Sequence, residues 1–257
     1  MSRLISVAAF VALFALACFP GPDEPVEYLE REDTVVVQVR TVPPGVDARD
    51  VPPEFTLYGD GTLIYRGLDP EGEPALLRTE LPPDAVRDLL EFAVDRGFLD
   101  LYYDQAGDGG DQAVTFLYVN TRGGTNSVRA VELDPESEGP GATVGAIVEH
   151  LRDFDPAAAG AGAPEPFAAE RVVISAEAVE AFEGAGSPIV WPFGEIDLGT
   201  VAAGGDLVAE GDEVALELAG VLAPPPFATT VQQDGRLYAV SFRPLLPVEE
   251  RFPEFDQ

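Results

Sequence analysis

The run Asp104-Gln-Ala-Gly-Asp108-Gly-Gly-Asp111 sets three carboxylates on one glycine-rich connection. Hard oxygen ligands of this kind suit calcium, which collects six to eight of them. The spacing departs from the EF-hand series and lacks its bidentate glutamate, so any calcium held by Asp104, Asp108 and Asp111 is expected to be weak. A solvated turn is the plainer alternative, because Asp and Gly serve turns for conformational reasons alone. His150, the one histidine, lies in Val-Glu-His-Leu-Arg, a helix-surface pattern, and no nucleophile-elbow motif accompanies it. Zinc sites of the Cys and His type lack ligands, and with no lysine in the chain neither Schiff-base chemistry nor a phosphate-cradling P-loop is available. Paired carboxylates of the glycosidase kind are always conceivable among 46 acids, so their number carries little weight. No catalytic or cofactor-binding residue is therefore assigned.

Cys18 is the only cysteine, and it follows an uncharged apolar run, Leu4 to Ala17, with Arg3 ahead of it. This order matches a secretory leader, and the run is shorter than the ~18 apolar residues expected of a spanning helix. Phe14-Ala15-Leu16-Ala17-Cys18 resembles a lipobox, at which the cysteine is acylated and the leader, residues 1–17, removed. Ala15-Leu16-Ala17 also fits ordinary signal cleavage. That reading leaves an unpaired thiol at the mature N-terminus in an oxidising compartment. A diacylglycerol on Cys18 supplies two chains, where one binds only marginally. Residues 18–33, rich in Pro, Asp and Glu, then read as an acidic tether above the lipid. In a two-membrane bacterium, Phe19 rather than Asp after the cysteine implies export to the outer membrane. The expected location is a cell membrane or outer membrane, facing away from the cytoplasm.

The net charge of −31 is carried against basic residues that are all arginine. Such a field repels nucleic acid and anionic headgroups, so neither is an expected partner. Adaptation to high salt and a GC-rich coding sequence each account for this composition. At 46% hydrophobic residues the chain can still form a core.

The elements that must position any site fall into two units. In residues 34–154, Thr34 to Val42 alternates, with Val35, Val37 and Val39 on one face and Val36, Gln38 and Arg40 on the other. Phe55 to Tyr58 and Thr62 to Arg66 flank Gly59-Asp60-Gly61, a hairpin signal in which both turn residues are expected at positive φ. Ala75 to Leu81 adds a strand. Pro82-Pro83-Asp84 opens a helix whose Val86, Leu89, Leu90, Ala93 and Val94 form one stripe, and Gly97 ends it. A second hairpin, Ala113 to Asn120 with Asn126 to Leu133, and a helix over Ala142 to Arg152 complete an α+β unit with helices on one face of an antiparallel sheet. Residues 155–169 read as an Ala/Gly/Pro linker. Residues 170–257 read as a smaller, mostly β module with an extended tail. Strands are expected at Arg171 to Ser175 and Val214 to Ala219, with a hairpin about Asp234-Gly235. Trp191 is a core anchor or a ligand-facing aromatic, the former preferred.

Tyr58-Gly59-Asp60-Gly61, the Leu-Pro-Pro-Asp helix start, Trp191-Pro192 and Phe242-Arg243-Pro244-Leu245-Leu246-Pro247 together resemble a group of uncharacterised secreted bacterial lipoproteins. The resemblance implies an architecture and a location, and brings no activity with it. The expectation is a lipid-anchored, non-enzymatic binding or envelope-interaction module. Its partner is the membrane through Cys18, with an envelope protein or small ligand beyond it. An extracytoplasmic hydrolase using paired carboxylates is the alternative.

Overall fold

The computed structural model describes residues 25–46, 48, 51–102, 111–131, 133, 139–181, 187–204, 207–210 and 229–247. The valine-rich start becomes β1 (Val35–Val42), followed by β2 (Phe55–Tyr58), β3 (Thr62–Leu68) and β4 (Pro74–Glu80). Helix α1 (Pro83–Asp95) leads to β5 (Val114–Thr121), β6 (Gly124–Val131), α2 (Pro140–Arg152) and the two-residue β7 (Glu165–Pro166). These strands form a sheet of order β6-β5-β1-β2-β3-β4-β7, antiparallel at every pairing. Both helices cover one face, as expected of the α+β class. Val86, Leu89, Leu90 and Ala93 of α1 and Val144, Ile147 and Val148 of α2 pack on Val37, Val39, Leu57, Leu63, Leu117 and Val128. Each fully buried aliphatic side chain there contributes about 1.5–3 kcal/mol by leaving water.

Three local expectations change. A bulge between Val35 and Val37 lets Val36 and Val37 both enter the helix-side core and turns Val35 to the opposite face. In the first hairpin Gly61 alone takes positive φ, at 92°, while Asp60 instead accepts the Thr62 N–H and Oγ1–H. That is a three-residue loop closing on a glycine bulge rather than a two-residue turn. Within the expected tether, Pro25 to Asp33 lies against the domain. Tyr28 is 6% exposed in the core, the Arg122 N–H donates to the Glu27 carbonyl at 2.8 Å, and the Leu29 carbonyl crosses Gly59.

The Ala/Gly/Pro stretch is likewise bound rather than loose. Pro156 is buried, Ala159 and Ala161 pack on the core, and Thr79 Oγ1 donates to the Gly162 carbonyl at 3.0 Å. Beyond it, β8 (Arg171–Val179), β9 (Ile189–Val190), the short helix α3 (Leu198–Gly204), β10 (Leu207–Glu210), β11 (Thr229–Gln233) and β12 (Arg236–Pro244) build a second sheet. Its order is β10-β8-β12-β11-β9, antiparallel except for β11 with β9. The hairpin between β11 and β12 turns on Asp234 and Gly235, with φ of 52° and 77°, the doubly positive turn its sequence calls for. Trp191 is a core anchor here. It is 6% exposed, meets Phe193 edge-on at 5.0 Å, and donates Nε1–H to the Ile196 carbonyl at 3.1 Å. The strand expected at Val214 to Ala219 lies outside the described residues.

The two units meet on the face of the large sheet opposite its helices. Leu246, 1% exposed, packs with Tyr58 and Ile64, joined by Val35, Leu76 and Phe167. Tyr58 Oη donates to the Pro247 carbonyl at 2.9 Å. Three of the four resemblance motifs therefore meet at one corner, while Trp191-Pro192 lies in the core of the small sheet. Tyr58 holds the Pro-Leu-Leu-Pro tail, and the Gly61 carbonyl accepts the Leu81 N–H, 2.8 Å, just before the Pro-Pro-Asp helix start.

Candidate binding face

Of the acidic loop, Asp111 is exposed, while Asp104 and Asp108 lie outside the described residues, as do Cys18 and the leader. His150 sits on α2 with its ring stacked on Phe92 of α1, 3.7 Å between centroids and 14° from parallel. The Arg96 guanidinium lies 3.4 Å from the same Phe92 centroid, so sterics place it on the other side of the ring. Burial, then Arg96, holds the His150 pKa below its ordinary value, against an opposing pull from Asp153. The unfolded chain therefore takes up this proton first as pH falls from about 6.5, and stability declines through that window down to the folded pKa. His150→Gln should flatten that stretch of the stability curve. Denaturant midpoints between pH 8 and 5.5 that fall equally in wild type and variant would dismiss the effect.

Two hollows lie near carboxylates. A cleft of about 140 Å³ is lined by Val39, Glu54, Phe55, Tyr65, Arg152 and Phe154 among others. Its carboxylate, Glu54, is already committed, accepting from Arg152 at 2.8 Å and from Thr41 Oγ1 at 2.9 Å. A wider, open hollow of about 640 Å³ lies beside α3 and includes Asp197, Thr200, Gln233, Arg236 and Tyr238. The Thr200 hydroxyl and the Gly199 and Thr200 N–H groups hold Asp197 below the usual carboxylate range. Asp33 is also lowered, chiefly by Arg31. A general acid working near neutral pH needs the opposite shift.

The face opposite the helices has a different character. Cross-strand register lines up Arg40 of β1, Phe116 of β5 and Arg129 of β6 in one row. Gln38, Tyr118 and Ser127 form the next. Arg78 of β4 stands beyond Ile64 on the same face, and Arg66 two residues along from Ile64. Arg40 is 5% exposed and donates to the Ala48 carbonyl at 2.7 Å, so it is covered rather than open to solvent. Phe116, Tyr118 and Arg129 remain half-buried and Ser127 exposed, with the Arg129 guanidinium 5.9 Å from the Phe116 centroid. Partial burial raises the Tyr118 pKa, keeping its hydroxyl a neutral donor.

This strip combines aromatic area, cationic charge and hydroxyl donors on a rigid sheet. Binding surfaces favour that combination. Sequence reasoning did not single these residues out. The signal lay in the alternation, which puts Phe116 and Tyr118 at positions that Leu117 and Val119 leave to the outer face. The outermost strands of the small sheet add exposed apolar side chains, Val190 at 74% and Val208 at 49%. Comparison with protein-family models finds no match, and comparisons with curated proteins and with solved structures find none either.

Proposed function

We propose that this chain is a lipid-anchored, extracytoplasmic binding module without catalytic activity, working through the strip of Phe116, Tyr118 and Arg129. The observation that carries the reading is an aromatic and arginine surface on the outer face of a sheet, in a chain whose charge is otherwise overwhelmingly negative. The lipobox-like residues before Cys18 support the anchor, with acylation of Cys18 holding the domain at a cell or outer membrane.

Expression with its own leader in a bacterium should give a membrane-fractionating protein, and Cys18→Ser should release or misprocess it. Crosslinking in the native envelope should capture a partner that Phe116→Ala and Arg129→Glu both lose. Soluble wild type with an unmodified N-terminus sinks the anchor, and capture unaffected by either substitution sinks the strip.

Calcium at Asp104, Asp108 and Asp111 belongs to the same proposal as an accessory. Ordering a glycine-rich loop costs roughly 1–2 kcal/mol per residue, which places affinity near the millimolar range of extracellular modules. Millimolar calcium should move the melting temperature little. A large upward shift, abolished by Asp→Asn at all three positions, would mark a structural site instead.

A further inference from the structure

We propose that the cleft between strands β1 to β3 and the end of α2 binds a small aromatic carboxylate, with the ring inside and the carboxylate on Arg152. The site lies on the helix side of the large sheet, away from the Phe116–Tyr118–Arg129 strip, and stands independently of it.

Strand register and one helix end build the lining. Val39, Phe55 and Tyr65 are cross-strand neighbours on β1, β2 and β3. Leu151 in the last turn of α2 and Phe154 just beyond it complete the apolar wall. Phe154 meets Phe55 edge-on, with 81° between planes and 6.3 Å between centroids. The space left is about 140 Å³. A cavity of about 150 Å³ holds one benzene, so a single ring is the size of guest this cleft takes.

The polar end is arranged in advance. Arg152 donates from Nε and Nη2 to Glu54 Oε1 at 3.3 and 2.8 Å, and from Nη2 to Thr41 Oγ1 at 2.7 Å. These bonds fix the guanidinium and leave Nη1 with no hydrogen-bond partner among the described residues. Tyr65 Oη also lacks one among them. Burial, then Asp155, raises the Tyr65 pKa, so its hydroxyl stays a neutral donor. A carboxylate accepts from both kinds of group.

Charge selects the same guest. Aromatic rings around a small cleft also suit a methylated ammonium. Such a cation would meet Arg66 and Arg152 in the lining, and the one lining acid, Glu54, is already bound to Arg152. Asp155, the further acid near Tyr65, is occupied by the Ala157 and Ala158 N–H groups, 3.0 and 3.3 Å from its Oδ1.

Titration of the full chain with benzoate, followed by NMR, tests this. Resonances of Tyr65 and of residues 151–154 should move, with a Kd of about 1 mM or lower. Benzyl alcohol keeps the ring without the charge and should bind at least about tenfold more weakly, while acetate, which lacks the ring, should not saturate. Arg152→Gln should erase the preference for benzoate over benzyl alcohol. Tyr65→Phe should weaken benzoate about threefold with an unchanged melting temperature. If Arg152→Gln unfolds, the wild-type preference and Tyr65→Phe still decide. Benzoate shifts confined to other residues, equal binding of benzoate and benzyl alcohol, or tighter binding of tetramethylammonium would each overturn the proposal.

Discussion

Gly59→Ala should lower the melting temperature by roughly 5–10 °C, the shift expected for about 2–3 kcal/mol of overpacking in a domain of this size. A Cβ at residue 59 would sit 1.8 Å from the Leu29 carbonyl oxygen and 2.9 Å from the Arg31 nitrogen. Both neighbours are backbone, so no side-chain rotation relieves the clash. The N-terminal segment must lift, and it is tied down on either side. The Gly59 N–H donates to the Thr34 carbonyl at 2.8 Å, and Tyr28 is buried in the core. Gly123→Ala is the matched control at another hairpin tip, where the nearest atom to a new Cβ is Thr121 Oγ1 at an ordinary 3.5 Å. Thermal melts that rank the two substitutions equally would show that the segment does not hold this position in solution.

Leu246→Ala should be comparably damaging, at about 2–4 kcal/mol, because it empties a site enclosed by Tyr58, Ile64, Leu76 and Phe167. The loss falls on the junction between the two sheets rather than on either core. The expected signature is therefore early cleavage near residues 155–169 in limited proteolysis, with the α+β unit surviving as a protected fragment. Tyr58→Phe removes the bond to the Pro247 carbonyl and should cost about 1 kcal/mol. The pair touch the same junction, so their effects should combine non-additively. A Leu246→Ala variant with wild-type stability and an unchanged digestion pattern would mean the junction contributes nothing.

Features set by short-range periodicity are legible in the residues alone. The α1 stripe of Val86, Leu89, Leu90 and Ala93 is buried as a helical repeat dictates, and the Asp234-Gly235 turn adopts the positive φ pair its residues favour. What periodicity does not carry depends on contacts distant in the chain. The bulge that splits Val35 from Val37 sends Val35 to a cluster holding Leu246, more than two hundred residues later. Pro25 to Asp33 reads as solvated because it is rich in Pro, Asp and Glu, yet Tyr28 is buried and Val26 packs on the core, which seats it. Short alanines let residues 155–169 lie flat on the domain, and the same composition in isolation is that of a flexible spacer. The proposed strip is hidden in the sequence for a related reason. Phe116 and Arg129 lie on different strands, and only their register sets them side by side.

If Cys18 carries the proposed lipid, the seating of Tyr28 also bounds how far the domain can stand from it. The Arg122 N–H grips Glu27, and Leu29 crosses Gly59, at the hairpin tips of the large sheet, so that end of the domain is where the chain leaves for Cys18. Six residues lie between Cys18 and Pro25, so the leash is at most about 25 Å when fully drawn out. If Cys18 is acylated as proposed, that leash starts at the bilayer. An eight-residue strand such as β5 adds at most roughly 26 Å, which would keep Phe116, Tyr118 and Arg129 within about 50 Å of the membrane surface. A partner of the proposed strip would then have to come that close to the bilayer itself.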